Sequence, residues 1–330
     1  MQTRRLGRTG PEVSVIGLGC MAMSGMYGPA DRAAAIATIH AALDAGISLL
    51  DTGDFYGMGH NEMLIGEALK GVPRDRYQLS VKFGALRDAG GGWIGHDARP
   101  QAVKNFLAYT LQRLGTDYID IYRPARLDPD VPIEDAVGAI AQCIEAGWVR
   151  HVGLSEVGPE TLRRASAVHP ICDLQIEYAL TTRNIERAVL PACRELGIGV
   201  TAYGVFSRGL LTGGWQPGEA APGDFRAHAP RFQGEAGERN LAIAARLAEV
   251  AQGFGLTAGQ LALAWVLAQG DDIVPLVGAR RPERVTEAVA TLEAGLRADQ
   301  LAELEGAIPP DAIEGERYAP VQMAMLDSER

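Results

Sequence analysis

The chain has 330 residues, 47% of them hydrophobic, and a formal net charge of −10. That length supplies ample apolar material for a core, and an acidic surface with scattered Lys and Arg excludes nucleic acid as an expected partner. Cys20, Cys143, Cys172 and Cys193 form no CxxC pair and have no histidine at zinc spacing. They are read as buried small hydrophobes in a reducing compartment, with no metal site. No apolar run reaches the roughly 18 residues that a membrane span requires. Pro11 and Glu12, and the lack of a small-residue cleavage site, set the run VSVIGLGCMAM apart from an export signal. A cytoplasmic protein with no membrane partner is expected.

In chain order, MQTRRLGRTGPEVS reads as a hairpin, followed by a buried strand at VSVIGL (13–18). A helix follows over DRAAAIATIHAALDAG, with Asp31 as its N-cap and Gly46 at its stop. Strands are predicted at SLLDT (48–52), QLSVKF (78–83) and YIDIY (118–122). PIEDAVGAIAQCIEAG then reads as a helix with Pro132, Glu134 and Asp135 in its first turn and Gly147 at its end. RHVGLS (150–155), a helix opening on Pro159 and Glu160, DLQIEY (173–178) and GVTAY (199–203) come next. Residues 204–271 hold a Gly/Pro-rich loop (207–237) and two helical segments, before DIVPLV (272–277) and a helix opening on Pro282 and Glu283. Proline and acid at helix starts, and glycine at stops, follow from the unpaired N–H groups and the helix dipole.

The strand runs show little alternation, as expected of parallel strands buried on both faces. Eight of them alternating with helices predict an α/β fold: a (β/α)8 TIM barrel spanning 1–330 as one domain. The hairpin would close its floor, and an extended loop follows strand seven. A doubly wound sheet has one lure, since Gly17-Leu-Gly19-Cys-Met-Ala22 fits GxGxxG/A after a strand. That fingerprint needs a helix opening on its glycines, and here Gly25, Gly28 and Pro29 delay the helix to Asp31.

Function in such a barrel gathers at the C-terminal strand ends. These ends carry Asp51 with Asp54 and Tyr56, then Lys82, then Arg123-Pro124-Ala125-Arg126, then Ser155 and Glu156. The later ones carry Gln175 and Glu177, Tyr203, and Gly278-Ala279-Arg280-Arg281. Asp51, Tyr56 and Lys82 make a proton-donor site: tyrosine titrates near ~10, and a neighbouring ammonium is expected to lower it. VGARRPERVTEA places Arg280, Arg281 and Arg284 around a helix N-terminus. This is a cradle for an adenosine 2′-phosphate, and so favours NADP over NAD.

LLDTGDFYGMGHNEMLIGEAL closely resembles the signature of the aldo-keto reductase family, and VKFG, VGLSEV, LQIEYAL and VGARRPER follow in the family's order over nearly the whole chain. The resemblance implies NADPH-dependent carbonyl reduction without metal or flavin. It places the catalytic Asp, Tyr and Lys on Asp51, Tyr56 and Lys82, nicotinamide contacts on Ser155 and Gln175, and a stacking aromatic on Tyr203. Cofactor-phosphate contacts fall near Ala279, Arg280, Arg284 and Glu287. The implied cofactor track also takes in Gly19, Cys20 and Met21, Asp51, Glu156, the run Gly204, Val205, Phe206, Ser207, Arg208 and Gly209, and Gly278 and Ala288.

Three positions depart from the family pattern. Pro124-Ala125-Arg126 replaces Gln-His-Arg, so the usual histidine is Ala125. Glu156 replaces an Asn after Ser155, and Ala288 replaces an Asn. Losing the histidine removes a carbonyl-polarising donor and enlarges the cavity, with Arg123, Arg126 and His96 as candidate substitutes. Loops 21–30, 84–98 and 204–237 are expected to line the substrate pocket. Their candidate residues are Met21, Met23, Met26, Tyr27, Trp93, Phe206 and Trp215, joined by Ala125 and Arg126. The segment after residue 308 is expected to help cover the site. The expected function is NADPH/NADP+-dependent reduction of a small-molecule aldehyde or ketone, with Tyr56 as proton donor. The alternative is an NADPH-binding regulatory module, against which the trio Asp51, Tyr56 and Lys82 argues. Oligomeric state is not legible in the sequence.

Overall fold

This computed structural model describes residues 1–215 and 224–329. At the N-terminus β1 (Thr3–Arg5) and β2 (Glu12–Ser14) pair antiparallel. The barrel is closed by β3 (Gly17–Gly19), β4 (Leu49–Gly53) and β5 (Gln78–Phe83), with β8 (Ile119–Pro124), β9 (Val149–Ser155), β10 (Ile171–Glu177), β11 (Gly199–Tyr203) and β12 (Ile273–Gly278). Neighbouring barrel strands are parallel, and β12 pairs with β3 to close the ring. A separate antiparallel pair, β6 (Ala85–Arg87) and β7 (Trp93–His96), rises beyond β5. Helices α1 (Arg32–Asp44), α2 (His60–Ala68), α3 (Pro100–Leu114), α4 (Ile133–Glu145), α5 (Pro159–Val168) and α6 (Val189–Leu196) lie between strands. The long connection before β12 holds α7 (Gly234–Gly253) and α8 (Ala258–Leu267), and α9 (Pro282–Ala294), α10 (Ala298–Ala307) and the short α11 (Pro320–Met323) follow.

The helix signals act as chemistry requires. The Asp31 side chain accepts from the Ala34 N–H to cap α1, and Gly46 and Gly147 take positive φ just past α1 and α4. Thr257 and Gln260 form a capping box on α8.

The run VSVIGL, expected as one strand, divides. Val13 and Ser14 belong to β2, and the barrel strand begins at Gly17. The cause is the buried Ser14. Its hydroxyl donates to the Ile16 carbonyl at 2.6 Å and accepts from the Ser48 N–H at 2.9 Å, which turns the chain from hairpin to barrel. The hairpin closes the barrel floor, where Leu6 and Val13 pack with Leu49, Ile121, Cys172, Val274 and Leu276. Burying each aliphatic side chain there contributes about 1.5–3 kcal/mol. Gly7, at φ +59°, passes so close that a Cβ would sit 2.5 Å from the Cys172 carbonyl.

Candidate active site

The C-terminal strand ends surround a cavity of about 910 Å³. At its base β4 presents Asp51 and β5 presents Lys82, neighbours across a parallel ladder in which Asp51 pairs with Ser80 and Gly53 with Lys82. Lys82 Nζ donates to Asp51 Oδ1 at 2.5 Å, while Ser80 Oγ and Gln175 Nε2 donate to Oδ2 at 2.8 and 2.7 Å. Asp51 is thus a fully engaged acceptor that fixes the ammonium. The ammonium lies 5.1 Å from the centroid of the Tyr56 ring. Burial lowers the pKa of Lys82, opposed by Asp51.

The phenol runs against the sequence expectation. Tyr56 is buried, and its pKa stands well above the ordinary value, through burial first and the Asp51 charge second; Arg126 pulls the other way. Lys82 faces the ring and its charge is matched by Asp51, so it does not produce the expected lowering. A raised phenol stays protonated at neutral pH, as a proton donor must.

Ala125 also lines the cavity, and its N–H donates to the Phe83 carbonyl at 2.8 Å. Of the three candidate substitutes for the histidine, Arg123 is fully buried inside the barrel and does not line the cavity. His96, on β7, does line it, and burial first and Arg126 second lower its pKa, so the imidazole is neutral near pH 7. Arg126 lines it as a cation, donating to the Ala125 carbonyl at 2.6 Å and to the Tyr318 hydroxyl at 3.4 Å.

Ser155 Oγ is buried at the cavity wall with no hydrogen-bond partner among the described residues. An orphan of this kind suits a polar ligand group. Gln175 is the ladder neighbour of Ser155 on β10, and Tyr203 lines the cavity one strand further on, at the end of β11. At the far end, the N-terminus of α9 carries Arg280, Arg281 and Arg284, and a Cβ added at Gly278 would meet nothing of the described residues within 4 Å. Arg280 Nη1 donates to the Tyr27 and Pro29 carbonyls, bridging this end to the loop after β3. Arg284 pairs with Glu287 at 2.7 Å. The chain therefore offers a polar orphan at one end and a basic helix start at the other, which fits a dinucleotide bearing an extra phosphate.

The cavity brings together most of the residues singled out in the sequence: Asp51, Tyr56 and Lys82; Gly19, Met21, Met26 and Tyr27; Trp93, Ala125 and Arg126; Ser155 and Gln175. It also takes in Tyr203, Gly204, Val205, Phe206, Arg208 and Gly209, and Gly278, Ala279, Arg280, Arg284, Glu287 and Ala288. Cys20, Met23, Glu156 and Ser207 lie behind its wall, and Trp215 packs on Phe232 in a satellite cluster. The part of the 204–237 loop at 216–223 lies outside the described residues.

Glu156 is turned wholly to the fold. At φ +53° and buried, it accepts from Tyr203 Oη at 2.6 Å, from Ser328 Oγ at 2.7 Å and from both Nη atoms of Arg317. This pair anchors a C-terminal strap, which places Tyr318, Val321, Gln322 and Met325 on the cavity. The Tyr318 and Tyr203 hydroxyls are 2.8 Å apart, and the Arg208 guanidinium lies 4.4 Å from the Tyr318 ring centroid. Tyr318 and Arg317 come from outside the strand ends, in the segment after residue 308, which has no hydrophobic period. Ile94, in the stretch 84–98 expected to line the pocket, stands on β7 and joins the rim.

No single helix among the described residues is long and apolar enough to cross a membrane. A closed parallel barrel with a carboxylate-held lysine beside a protonated tyrosine, and a basic helix start at the far end of the same cavity, defines an oxidoreductase barrel of the kind that takes a nicotinamide dinucleotide. The model of the aldo/keto reductase family matches residues 15–309. The chain is 40% identical over 321 residues to a probable aldo-keto reductase 1 of Glycine max, covering 96% of this chain and 92% of the relative. Among solved structures, a glycerol dehydrogenase from Gluconobacter oxydans superposes with a TM-score of 0.83 at 29% identity, covering 96% of this chain and 99% of that one. An aldo-keto reductase from Klebsiella pneumoniae, solved in complex with NADPH, gives 0.73 at 25% identity, covering 96% and 99%. The chain belongs to the aldo/keto reductase family and is an oxidoreductase.

Proposed function

We propose that the protein reduces an aldehyde or ketone to an alcohol with NADPH, and that Tyr56 delivers the proton. The observation that carries this reading is the hydrogen-bonded set Ser80, Gln175 and Lys82 on Asp51, with the Lys82 ammonium on the face of the buried Tyr56 ring. The reduced nicotinamide, when bound, supplies the hydride. Ser155 and Gln175 would meet the nicotinamide end, Tyr203 would stack on it, and Arg280, Arg281 and Arg284 would hold the 2′-phosphate. The solved relative from Klebsiella pneumoniae binds NADPH. Tyr56 donates its proton to the carbonyl oxygen as negative charge develops there. Arg126, a permanent cation on the same cavity, stabilises that charge. Trp93, Ile94, Val321 and Met325 give the mouth an exposed apolar rim, suited to an apolar or bulky carbonyl.

The test is loss of NADPH absorbance with a panel of aldehydes, diketones and bulky cyclic ketones. Turnover in the parent and none in Tyr56→Phe, with cofactor affinity unchanged, is the expected result. Tight NADPH binding with no turnover on any substrate would replace the reductase reading with a binding module. Unchanged turnover in Tyr56→Phe would remove the phenol from its role.

A further inference from the structure

One layer below the catalytic carboxylate, the barrel interior holds a charge pair that the proposed chemistry does not use. Arg123 on β8 and Asp173 on β10 are both wholly buried. Arg123 Nη1 donates to Asp173 Oδ2 at 2.9 Å and to Thr201 Oγ1 at 3.3 Å, and Thr201 Oγ1 donates to Asp173 Oδ2 at 2.6 Å. Its other terminal nitrogen, Nη2, donates to Ser80 Oγ at 2.8 Å, and that hydroxyl spends its single proton on Asp51 Oδ2 at 2.8 Å. Space for the pair is carved from β9. A Cβ at Gly153 would sit 2.6 Å from Asp173 Oδ1 and 3.2 Å from Arg123 Cζ.

We infer that Arg123, held by Asp173, is a positioning residue that acts through Ser80 to fix and polarise the Asp51–Lys82 pair. Stability does not account for it. A dry ion pair gives up two hydration shells, and an apolar pair of similar volume commonly serves a core as well or better. The Arg123 Nε finds no partner among the described residues, a further cost that packing would have avoided. What the pair does supply is direction. With a guanidinium donating to its oxygen, the Ser80 hydroxyl is turned with its proton on Asp51, and that bond is strengthened. The charge of Arg123 also reaches Lys82, whose other charged or titratable neighbours are Asp51, Arg126, the Tyr56 ring and Cys20. Asp173 offsets that charge.

The inference rests on the reductase reading for its kinetic arm and is independent of it in the other. The chain has only three lysines, Lys70, Lys82 and Lys104, so the Lys82 signal can be followed by 13C NMR in lysine-labelled protein without cofactor. Removing Asp173 alone risks unfolding, so the central variant is the neutral double Arg123→Met/Asp173→Leu, with Asp173→Asn and Ser80→Ala beside it. The Lys82 midpoint should fall in Asp173→Asn, which leaves Arg123 unmatched, and rise in the double variant. In carbonyl reduction, kcat should drop about tenfold to a hundredfold in both the double variant and Ser80→Ala, with the KM for NADPH within about twofold. A folded double variant with an unmoved Lys82 titration would overturn the inference, and so would a Ser80→Ala enzyme at parental kcat. If the parent turns over no carbonyl, the reductase reading fails and the titration still decides the role of Arg123.

Discussion

Glu156, at the end of β9, and Arg317, in the C-terminal strap, meet as a two-pronged ion pair, Nη1 to Oε1 at 3.0 Å and Nη2 to Oε2 at 2.7 Å. Both side chains are buried, and Arg317 also reaches Glu329 at 2.7 Å. The strap is therefore fastened by charge at the cavity wall, and Tyr318, next to the clasp, is held against Tyr203. Arg317→Met strands the Glu156 carboxylate in a dry site. It should cost about 3–5 kcal/mol in denaturant unfolding and open the C-terminal segment to limited proteolysis. Parental stability together with a protected strap would refute the clasp.

The same pair sets an acid limit. Burial by itself would raise the Glu156 carboxyl, but the Arg317 and Arg126 charges and the bonds from Arg317 and Tyr203 outweigh it and hold the pKa at about 2. A folded-state pKa below the unfolded value of roughly 4.3 stabilises the fold above that pH, and the contribution is lost as pH falls toward the folded value. Unfolding free energy should decline from about pH 5 downward. A variant neutral at both positions, Glu156→Gln/Arg317→Met, should show a shallower decline in an acid titration of stability.

The barrel was legible in the sequence because parallel strands with both faces buried leave unbroken apolar runs, and because several helices between them open on Asp, Pro or acid and stop at glycine. Asp51, Tyr56 and Lys82 were legible for a related reason, since the fold collects whatever stands at strand ends. VSVIGL misled because a hydropathy run does not show that the Ser14 hydroxyl will turn the chain. From the sequence Arg123 reads as a candidate donor for the cavity. Only closure of the barrel brings it against Asp173, fifty positions later, and makes an interior site for it. The segment after residue 308 does line the cavity as expected, but Arg317 and Tyr318 had no signal of their own within it, because the strap is held by charges and hydroxyls rather than by a periodic apolar face.

The raised phenol of Tyr56 separates the two directions of reaction. Reduction uses the protonated form, which persists through the neutral range, so its rate should stay level there. Alcohol oxidation needs the phenolate, so its rate should climb with pH into the alkaline range. Arg126→Met removes the cation that lowers this phenol, and it should push the oxidation limb to still higher pH. Superimposable pH–rate profiles for parent and variant would place Arg126 outside the electrostatic field of the phenol.

Arg284 stands exposed at the first turn of α9, beside Glu287. A charge-assisted bond to a 2′-phosphate is worth about 1.5–3 kcal/mol, or roughly 10- to 150-fold in affinity. Arg284→Ala should weaken NADPH by that factor and NADH by less than about twofold. Fluorescence titration of both cofactors checks this, and equal losses would remove the arginine from the phosphate site.

Ala125 distinguishes a lost donor from a widened pocket. Ala125 lines a cavity that already holds the Arg126 cation, whose N–H groups can supply hydrogen bonds to a carbonyl oxygen. An imidazole introduced there would duplicate those donors and occupy space below the apolar rim of Trp93, Ile94 and Val321. Ala125→His should therefore change kcat/KM for small aldehydes by no more than about threefold, and cut that for bulky cyclic ketones about tenfold or more, the cost of roughly 1.4 kcal/mol of overpacking. Parallel kinetics on the two substrate classes measure it. A gain of about a hundredfold on small aldehydes, the scale of a restored general acid or oxyanion donor, would instead show that the alanine marks a missing catalytic group.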